Sequence, residues 1–300
     1  MIAIDGVSKT FGDRRALDAI SFEVARGEIL AILGHNGAGK TTLFALMLGL
    51  LRLSAGDILV DGVSVRAQPR EARRRIGSVV APAFYEYLTG WDNLRILASY
   101  SARVVPADLA AAARFVGLTD RLHDRVRVYS HGMRRRLALA QALVPRPDVL
   151  LLDEWETGLD PEGLRDMRAL ILRLNHEHGI TIVLTSHQPA GLDGLCERIA
   201  IMRDGRLLFV GPWRDLDTGT PTVRLAVDDW TRARAEVHAL GASVGADGVV
   251  ILPAGAAIAD LVAALVACGV RVEAVEPVRA NVQDLYFRAL QTPATDHRPT

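Results

Sequence analysis

Residues 28–42 read EILAILGHNGAGKTT, and this stretch decides the fold. It begins with a continuous apolar run that ends in glycine, a pattern typical of a buried strand. A glycine-rich loop follows, and an apolar pattern with helical spacing begins near Lys40 and runs through 43–51. The stretch therefore predicts a strand, a phosphate-binding loop and a helix in that order.

The loop has the spacing of two glycines followed by Lys and Thr that is used to bind phosphates. Glycines let successive backbone N–H groups converge on phosphate oxygens, and the positive end of the following helix points to the same place. We expect Lys40 to reach the β and γ phosphates and the Thr41 hydroxyl to bind Mg²⁺. The predicted nucleotide-binding residues of the loop are Gly34, His35, Asn36, Gly37, Ala38, Gly39, Lys40, Thr41 and Thr42.

A second stretch, VLLLDEWETGLDP at 149–161, runs four apolar residues directly into two carboxylates, Asp153 and Glu154. Buried acids are costly unless they are paired, hydrogen-bonded or bound to a metal. The phosphate loop supplies a reason for them, because Mg²⁺ on nucleotide phosphates needs a carboxylate at the end of a neighbouring strand. We expect Asp153 to bind Mg²⁺ and Glu154 to polarise a water for attack on the γ-phosphate.

The bulk composition narrows the class of protein. The chain has 300 residues, half of them hydrophobic, and 35 Lys and Arg balance 35 Asp and Glu. This balance gives no global field for nucleic acid or an anionic membrane, and no nucleic-acid partner is expected. Apolar runs are too short or too interrupted to span a bilayer, the start lacks a secretory signal, and two distant cysteines predict the reducing cytoplasm.

The order of patterns predicts an α/β fold with a mixed sheet and a helical insertion. Strands are predicted over 2–7, 17–24 and 179–186, with a short edge strand over 56–62 and a helix over 161–177. Helical periodicity fills most of 91–144. A break near 213–221 separates a second, smaller βαβαβ domain over 221–290, and a polar tail over 291–300 is predicted to be disordered.

Three further segments carry a resemblance to a known family. They are YSHGMRRRLALAQAL at 129–143, LDEWETGLDP at 152–161 and TSH at 185–187. Over about residues 1–215 the chain resembles the ATP-binding subunit of an ATP-binding cassette (ABC) transporter. The helical subdomain then spans about 85–146, and the YSxGM form is similar to exporter ATPases of the bacitracin-resistance type.

The resemblance implies an ATP hydrolase that powers a membrane exporter through a cycle of ATP-driven dimerisation. Its partners would be a separate membrane permease, which holds it to the inner face of the cell membrane, and a second copy bound head to tail. Phe11 would stack on adenine, and His187 would contact the γ-phosphate and align the attacking water. The resemblance also assigns an in-trans signature to Ser130, His131, Gly132 and Met133, and a D-loop to Gly158, Leu159 and Asp160.

The physical basis of the signature is a helix N-terminus. Ser130 is expected to cap a helix whose free N–H groups and dipole can face an anion. Arg134, Arg135 and Arg136 follow it, and we interpret them as a solvated face or as contacts within the domain.

The chain departs from the family at several positions. Tyr129, His131 and Met133 replace usual residues of the signature, and Trp155 and Glu156 replace the usual Pro-Thr after the catalytic Glu. The loop over 76–90 has no Gln near Ala81, so the family's contact from that side chain to Mg²⁺ and the permease is missing or made by a water.

Two other classes of function remain open at this point. A soluble ABC protein acting on ribosomes or nucleic acid would carry two cassettes or a long coiled-coil insertion, and neither pattern is visible. An unrelated phosphate-loop kinase or GTPase would need neither the Ser130 cap nor a dimer. In the family the translocation path belongs to the permease, so the transported substrate is not encoded in this chain.

Overall fold

The computed structural model describes residues 1–99, 105–189, 191–216, 221–245, 248–253 and 255–277, together with Val282 and Tyr286. The predicted tail over 291–300 lies outside the described residues. The described residues up to Gly211 form one compact unit, and those from Pro212 onward form a second. In neither unit, as far as it is described, is any helix both long enough and apolar enough to span a bilayer.

The first unit is an α/β assembly, as the sequence predicts. Its elements in chain order are β1 (Ile2–Phe11), β2 (Arg14–Val24), β3 (Ile29–Leu33), α1 (Lys40–Met47), β4 (Ala55–Val60), β5 (Val63–Ser64), α2 (Pro69–Arg73), β6 (Ile76–Val79), α3 (Gly90–Ala98), α4 (Pro106–Phe115), α5 (His131–Leu143), β7 (Val149–Leu152), α6 (Pro161–His178), β8 (Thr181–Ser186), β9 (Arg198–Arg203) and β10 (Arg206–Pro212).

The strands divide into two sheets. One has the order β10-β9-β3-β8-β7-β6, and β3 pairs in parallel with both β8 and β9. All five residues of β3 are buried, as expected for a strand with neighbours on both sides. The parallel arrangement brings the carboxyl ends of β3, β7 and β8 to the same edge, so the residues that follow these strands meet there.

The second sheet of this unit has the order β2-β1-β4-β5, with antiparallel pairs throughout. The prediction of an edge strand over 56–62 is wrong, because β4 lies between β1 and β5. The two residues of β5 fold back and pair Val63 with Val60, which covers the outer edge of β4. A strand as short as β5 has too few residues to show a periodic pattern.

Helix α1 packs in the core between the sheets. Leu43, Phe44 and Met47 are buried there with residues of β1, β2 and β3. The helix ends at Met47, earlier than the apolar pattern over 43–51 predicts. Gly49 has φ 61°, a left-handed conformation in which the helix cannot continue, and the Arg73 side chain binds the Leu48 carbonyl 2.8 Å away.

The second unit has its own sheet and core. It contains β11 (Thr222–Val227), α7 (Trp230–Ala239), β12 (Ser243–Val244), β13 (Val249–Ile251), α8 (Ile258–Ala267) and β14 (Val272–Pro277). The sheet order is β12-β13-β11-β14, with antiparallel pairs. The two-residue strand β12 adds to the predicted βαβαβ pattern. The buried side chains include Val223, Leu225, Val237, Val250, Leu261 and Leu265.

Candidate active site

The loop between β3 and α1 has the compact form that its glycines predict. Gly39 has φ 104°, and a Cβ there would lie 2.6 Å from the Leu17 side chain. A Cβ on Gly34 would lie 2.5 Å from the Met202 carbonyl oxygen. Glycine is therefore required at both positions by backbone conformation or by close approach, and the chain turns tightly into the N-terminus of α1.

Lys40 lies folded over this loop. Its side chain is buried, and its Nζ donates hydrogen bonds to the carbonyls of Gly34, 2.6 Å away, and His35, 3.2 Å away. Burial lowers the pKa of Lys40, while the negative charges of nearby carboxylates oppose that shift. The ammonium group is thus already held at the loop where a phosphate would bind.

Asp153 lies at the end of β7, beside the first turn of α1. Thr41 Oγ1 donates to Asp153 Oδ2 over 3.1 Å, although the two residues are 112 positions apart. A hydroxyl and a carboxylate oxygen at one point are the hard ligands that Mg²⁺ prefers, usually with several waters and substrate phosphates. In the described part of the chain, no group of three or more His, Cys, Asp or Glu side chains is arranged to hold a metal ion. Thr41 and Asp153 therefore fit Mg²⁺ as a two-residue protein contribution.

Glu154 has an unusual backbone. Its φ is 45°, in the left-handed region that non-glycine residues rarely adopt. Its N–H donates to Thr185 Oγ1 over 2.8 Å, and its carbonyl accepts from Arg135 Nη2 over 2.8 Å. Two side chains thus hold the peptide groups on either side of a strained residue. Such outliers cluster at functional sites.

A cavity of about 620 Å³ collects several of these groups. Glu154 lines it, and so does Phe11, which is 45% exposed. The cavity is large enough for a nucleotide-sized ligand. The other lining residues are Arg14, Arg15, Ala16, Asn36, Gly37, Gly39, Lys40, Thr41, Thr42, Asp204 and Gly205.

Several predicted site residues lie outside the described lining of this cavity. Gly34 and Ala38 are buried within the loop, and His35 Nε2 lies 3.5 Å from Asp204 Oδ1. The signature residues 130–133 and His187 are also absent from the lining. Asp160 instead caps α6, where its Oδ1 accepts the N–H of Gly163 over 2.8 Å.

Ser130 caps α5 as the sequence predicts. Its Oγ accepts the Met133 N–H over 3.2 Å, and Ser130 and His131 are exposed at the helix start. The three following arginines form contacts within the unit, which matches one of the two interpretations. Arg134 pairs with Glu86, Arg135 binds the Glu154 carbonyl, and Arg136 pairs with Asp166.

Thr185 is the residue that the sequence pattern missed. It is fully buried in β8, and its hydroxyl donates to Asp153 Oδ1 over 2.6 Å while it accepts the Glu154 N–H. One hydroxyl therefore positions both predicted acids. The signal in the sequence was the position of Thr185, a polar residue directly after the apolar residues 182–184 of the strand.

Thr185→Val should damage the site while keeping the shape of the strand. The change leaves the Glu154 N–H and one Asp153 oxygen without this partner, which should lower the free energy of unfolding by about 1–3 kcal/mol and reduce kcat on the order of 10-fold. Thr181→Val is the matched control, because Thr181 also lies in β8 and its Oγ1 also accepts a backbone N–H, but the donor is Gly27 and not Glu154. Thermal melts and steady-state ATPase assays check both. Equal loss of activity in the two variants would contradict the positioning role of Thr185.

Comparisons with known proteins agree with this geometry. Residues 17–157 match the sequence family described as ABC transporter. The chain is 39% identical over 216 residues to the uncharacterised ABC transporter ATP-binding protein YhcH of Bacillus subtilis (strain 168), covering 72% of this chain and 71% of that protein. It is 36% identical over 217 residues to the bacitracin transport ATP-binding protein BcrA of Bacillus licheniformis, covering 72% and 71%.

Solved structures give the same result for the fold. The structure of cbiO1 from Clostridium perfringens, described as part of an ABC transporter complex, matches with a TM-score of 0.64 at 28% identity, over 72% of this chain and 89% of that chain. The ATP-binding cassette MJ0796, a dimer bound to ADP and Pi, matches with a TM-score of 0.64 at 23% identity, over 71% and 98%. The latter supports the fold alone.

Proposed function

Because the chain belongs to the ABC transporter family, in which it is an ATP-binding and ATP-hydrolysing subunit of a membrane exporter, we propose that it works as a head-to-tail dimer closed by MgATP. The observation that carries this proposal is the assembly of Lys40, Thr41, Asp153 and Glu154 at one end of the parallel sheet. Hydrolysis yields ADP and phosphate.

Each group has a defined task in the proposed mechanism. Lys40 exchanges its two carbonyl partners for phosphate oxygens, which keeps the ammonium satisfied as nucleotide binds. Thr41 and Asp153 would hold Mg²⁺, which supplies neutralisation of charge on the phosphates. Glu154 polarises the attacking water from the cavity wall. His187 aligns that water.

A second copy of the chain completes the site in this proposal. The α5 N-terminus, with its exposed Ser130, offers free N–H groups and a positive dipole end to an anion. Among the described residues that line the cavity, none comes from 130–133. The γ-phosphate held by one copy would therefore meet Ser130, His131, Gly132 and Met133 of the other, with Gly158, Leu159 and Asp160 alongside. Phe11 stacks on adenine in the same site.

The proposed permease contact lies on the segment over 83–88. Tyr85 is 51% exposed and Tyr87 is 67% exposed, with ring centroids 6.1 Å apart. The backbone beneath them is fixed, because the buried Asn93 side chain accepts the Tyr85 N–H and donates to the Tyr85 carbonyl. Exposed aromatic rings on a rigid backbone are frequent interface anchors. Through this contact the chain would lie in the cytoplasm on the inner face of the cell membrane.

Changing both Tyr85 and Tyr87 to Ala should separate transport from hydrolysis. The rings lie outside the cavity, so we expect basal ATPase of the isolated subunit to stay within about 2-fold, while each truncated anchor costs about 2 kcal/mol of binding to the permease. The measurement is recovery of the subunit with the membrane protein in detergent. Leu50→Ala, which removes a side chain that is 62% exposed elsewhere in the first unit, is the control.

Unchanged recovery of the Tyr85/Tyr87 variant with the membrane protein would contradict this docking surface. Recovery of the wild-type chain with ribosomes or nucleic acid, and with no membrane protein, would favour a soluble ABC ATPase instead.

The proposed division of the chain is an ABC domain over 1–215 with a helical subdomain over about 85–146, followed by an accessory domain over 221–290.

A further inference from the structure

Glu156 is a buried carboxyl beside the predicted switch histidine. Its side chain is 11% exposed, and Ser186 Oγ donates to its Oε1. His187 Nδ1 lies 3.8 Å from the same Oε1. Within the described residues, neither His187 Nδ1 nor Glu156 Oε2 has a hydrogen-bond partner, although both are buried. Two buried polar atoms without hydrogen-bond partners therefore belong to neighbouring side chains.

We propose that Glu156 is a positioning residue for His187, and that the carboxyl group and His187 Nδ1 hold one proton between them. This inference rests on the proposed role of His187 at the γ-phosphate. A phosphate oxygen only accepts hydrogen bonds, so the ring nitrogen that meets it must carry a hydrogen. The partner of Nδ1 decides which hydrogens the ring carries.

The proton can lie on either side of the pair with the same result. If it lies on Glu156, the neutral carboxylic acid donates to Nδ1 and leaves the hydrogen on Nε2. If it lies on His187, the imidazolium donates from Nδ1 to the carboxylate and again carries a hydrogen on Nε2. In both cases the pair is neutral overall, and Nε2 is a donor toward the phosphate.

The surroundings explain why a carboxyl group can hold a proton at this place. Burial raises the pKa of Glu156, and the hydrogen bond from Ser186 opposes this shift. The Ser186 hydroxyl also accepts the Gln188 N–H over 2.9 Å, so the backbone after His187 is tied to the group that holds Glu156. The other charged groups that interact electrostatically with Glu156 are Lys40, Arg135 and Glu154.

The proton on the pair can be observed directly by ¹⁵N NMR of the full-length chain labelled at histidine. The His187 signals are identified by their loss in His187→Gln, and exposed His176 serves as the reference for a free ring. Near neutral pH, where the pair holds its proton, we expect wild-type Nδ1 to show the shift of a protonated or strongly hydrogen-bonded nitrogen and Nε2 that of a protonated one. In Glu156→Leu, Nδ1 should move to the shift of a free acceptor. Identical His187 spectra in the two proteins would overturn the pairing.

The turnover rates of two Glu156 variants distinguish a role of Glu156 in positioning His187 from a role in packing alone. Gln can donate its amide N–H to Nδ1, so Glu156→Gln should keep kcat within about 3-fold, whereas Glu156→Leu should lose about 10-fold or more with KM for ATP within about 2-fold. Thermal melts of both variants are measured beside turnover, because Glu156→Leu also removes the acceptor of the Ser186 hydroxyl and a loss of stability must be separated from a loss of positioning. Equal kcat in the two variants would overturn the positioning role.

Two further variants distinguish a failure of the proposed pairing from a failure of the proposed role of His187. Trp155→Phe keeps a buried ring in the same turn, and we expect its His187 spectrum to match wild type. His187→Gln with wild-type turnover would overturn the proposed role of His187 itself and, with it, the catalytic consequence of the pair. The spectra of Glu156→Leu would still test whether the two groups share a proton.

Discussion

Glu154→Gln should bind ATP and barely hydrolyse it. The amide keeps the size of the side chain and the backbone contacts to Thr185 and Arg135, but it cannot accept the proton of the attacking water. We expect kcat to fall on the order of 10³-fold, with nucleotide affinity nearly unchanged. Because the closed dimer then cannot proceed to ADP, a dimer stable to gel filtration should accumulate in MgATP and not in MgADP.

Glu156→Gln is the matched control, because it makes the same chemical change two residues later. Its turnover should stay within a few-fold of wild type, since Glu156 acts only through His187. Wild-type hydrolysis by Glu154→Gln would show that another group polarises the water.

Ser130→Arg should abolish hydrolysis and leave ATP binding to the monomer nearly intact. Ser130 is exposed at the start of α5 and lies outside the cavity lining, so a large cation there disturbs only what approaches from another molecule. Binding of a fluorescent ATP analogue and steady-state ATPase assays measure the two properties. We expect a loss of turnover on the order of 10²-fold or more, as for removal of a preorganised anion-binding contact.

A mixture with Lys40→Ala tests whether the site is shared between two copies. Each mixed dimer has one composite site with both elements intact and a second site that lacks both. Random pairing makes about half of the dimers mixed, so about a quarter of all sites should be intact and activity should reappear to about that level. No recovery in a mixture whose mixed dimers are confirmed by mass would contradict a shared site.

The local chemistry of the site followed from the sequence because it is encoded in contiguous residues. The spacing of Gly34, Gly39, Lys40 and Thr41 allows one kind of loop, and the Ser130 cap is formed within four residues. The sequence pattern did not predict the contacts between distant segments. Thr185 meets Glu154 only because β7 and β8 are parallel neighbours in a register that pairs Leu152 with Leu184.

The other gaps have the same physical origin. Arg135 binds the Glu154 carbonyl across 19 positions, and its charge is held among three carboxylates that no local pattern places there. The edge-strand prediction for β4 was wrong because a two-residue partner covers that edge. Strand order and very short strands are set by packing, so the periodicity of the sequence does not predict them.

The separate core of the second unit bears on how this chain can evolve. None of the described groups that hold Lys40, Asp153 or Glu154 comes from beyond Gly211, and the second unit closes its own sheet around its own apolar side chains. Selection on hydrolysis therefore places little restraint on the sequence of that unit. Relatives that keep the same ATPase core are free to exchange, lose or rapidly diversify this module, and its substitution rate should differ from that of the ATPase core.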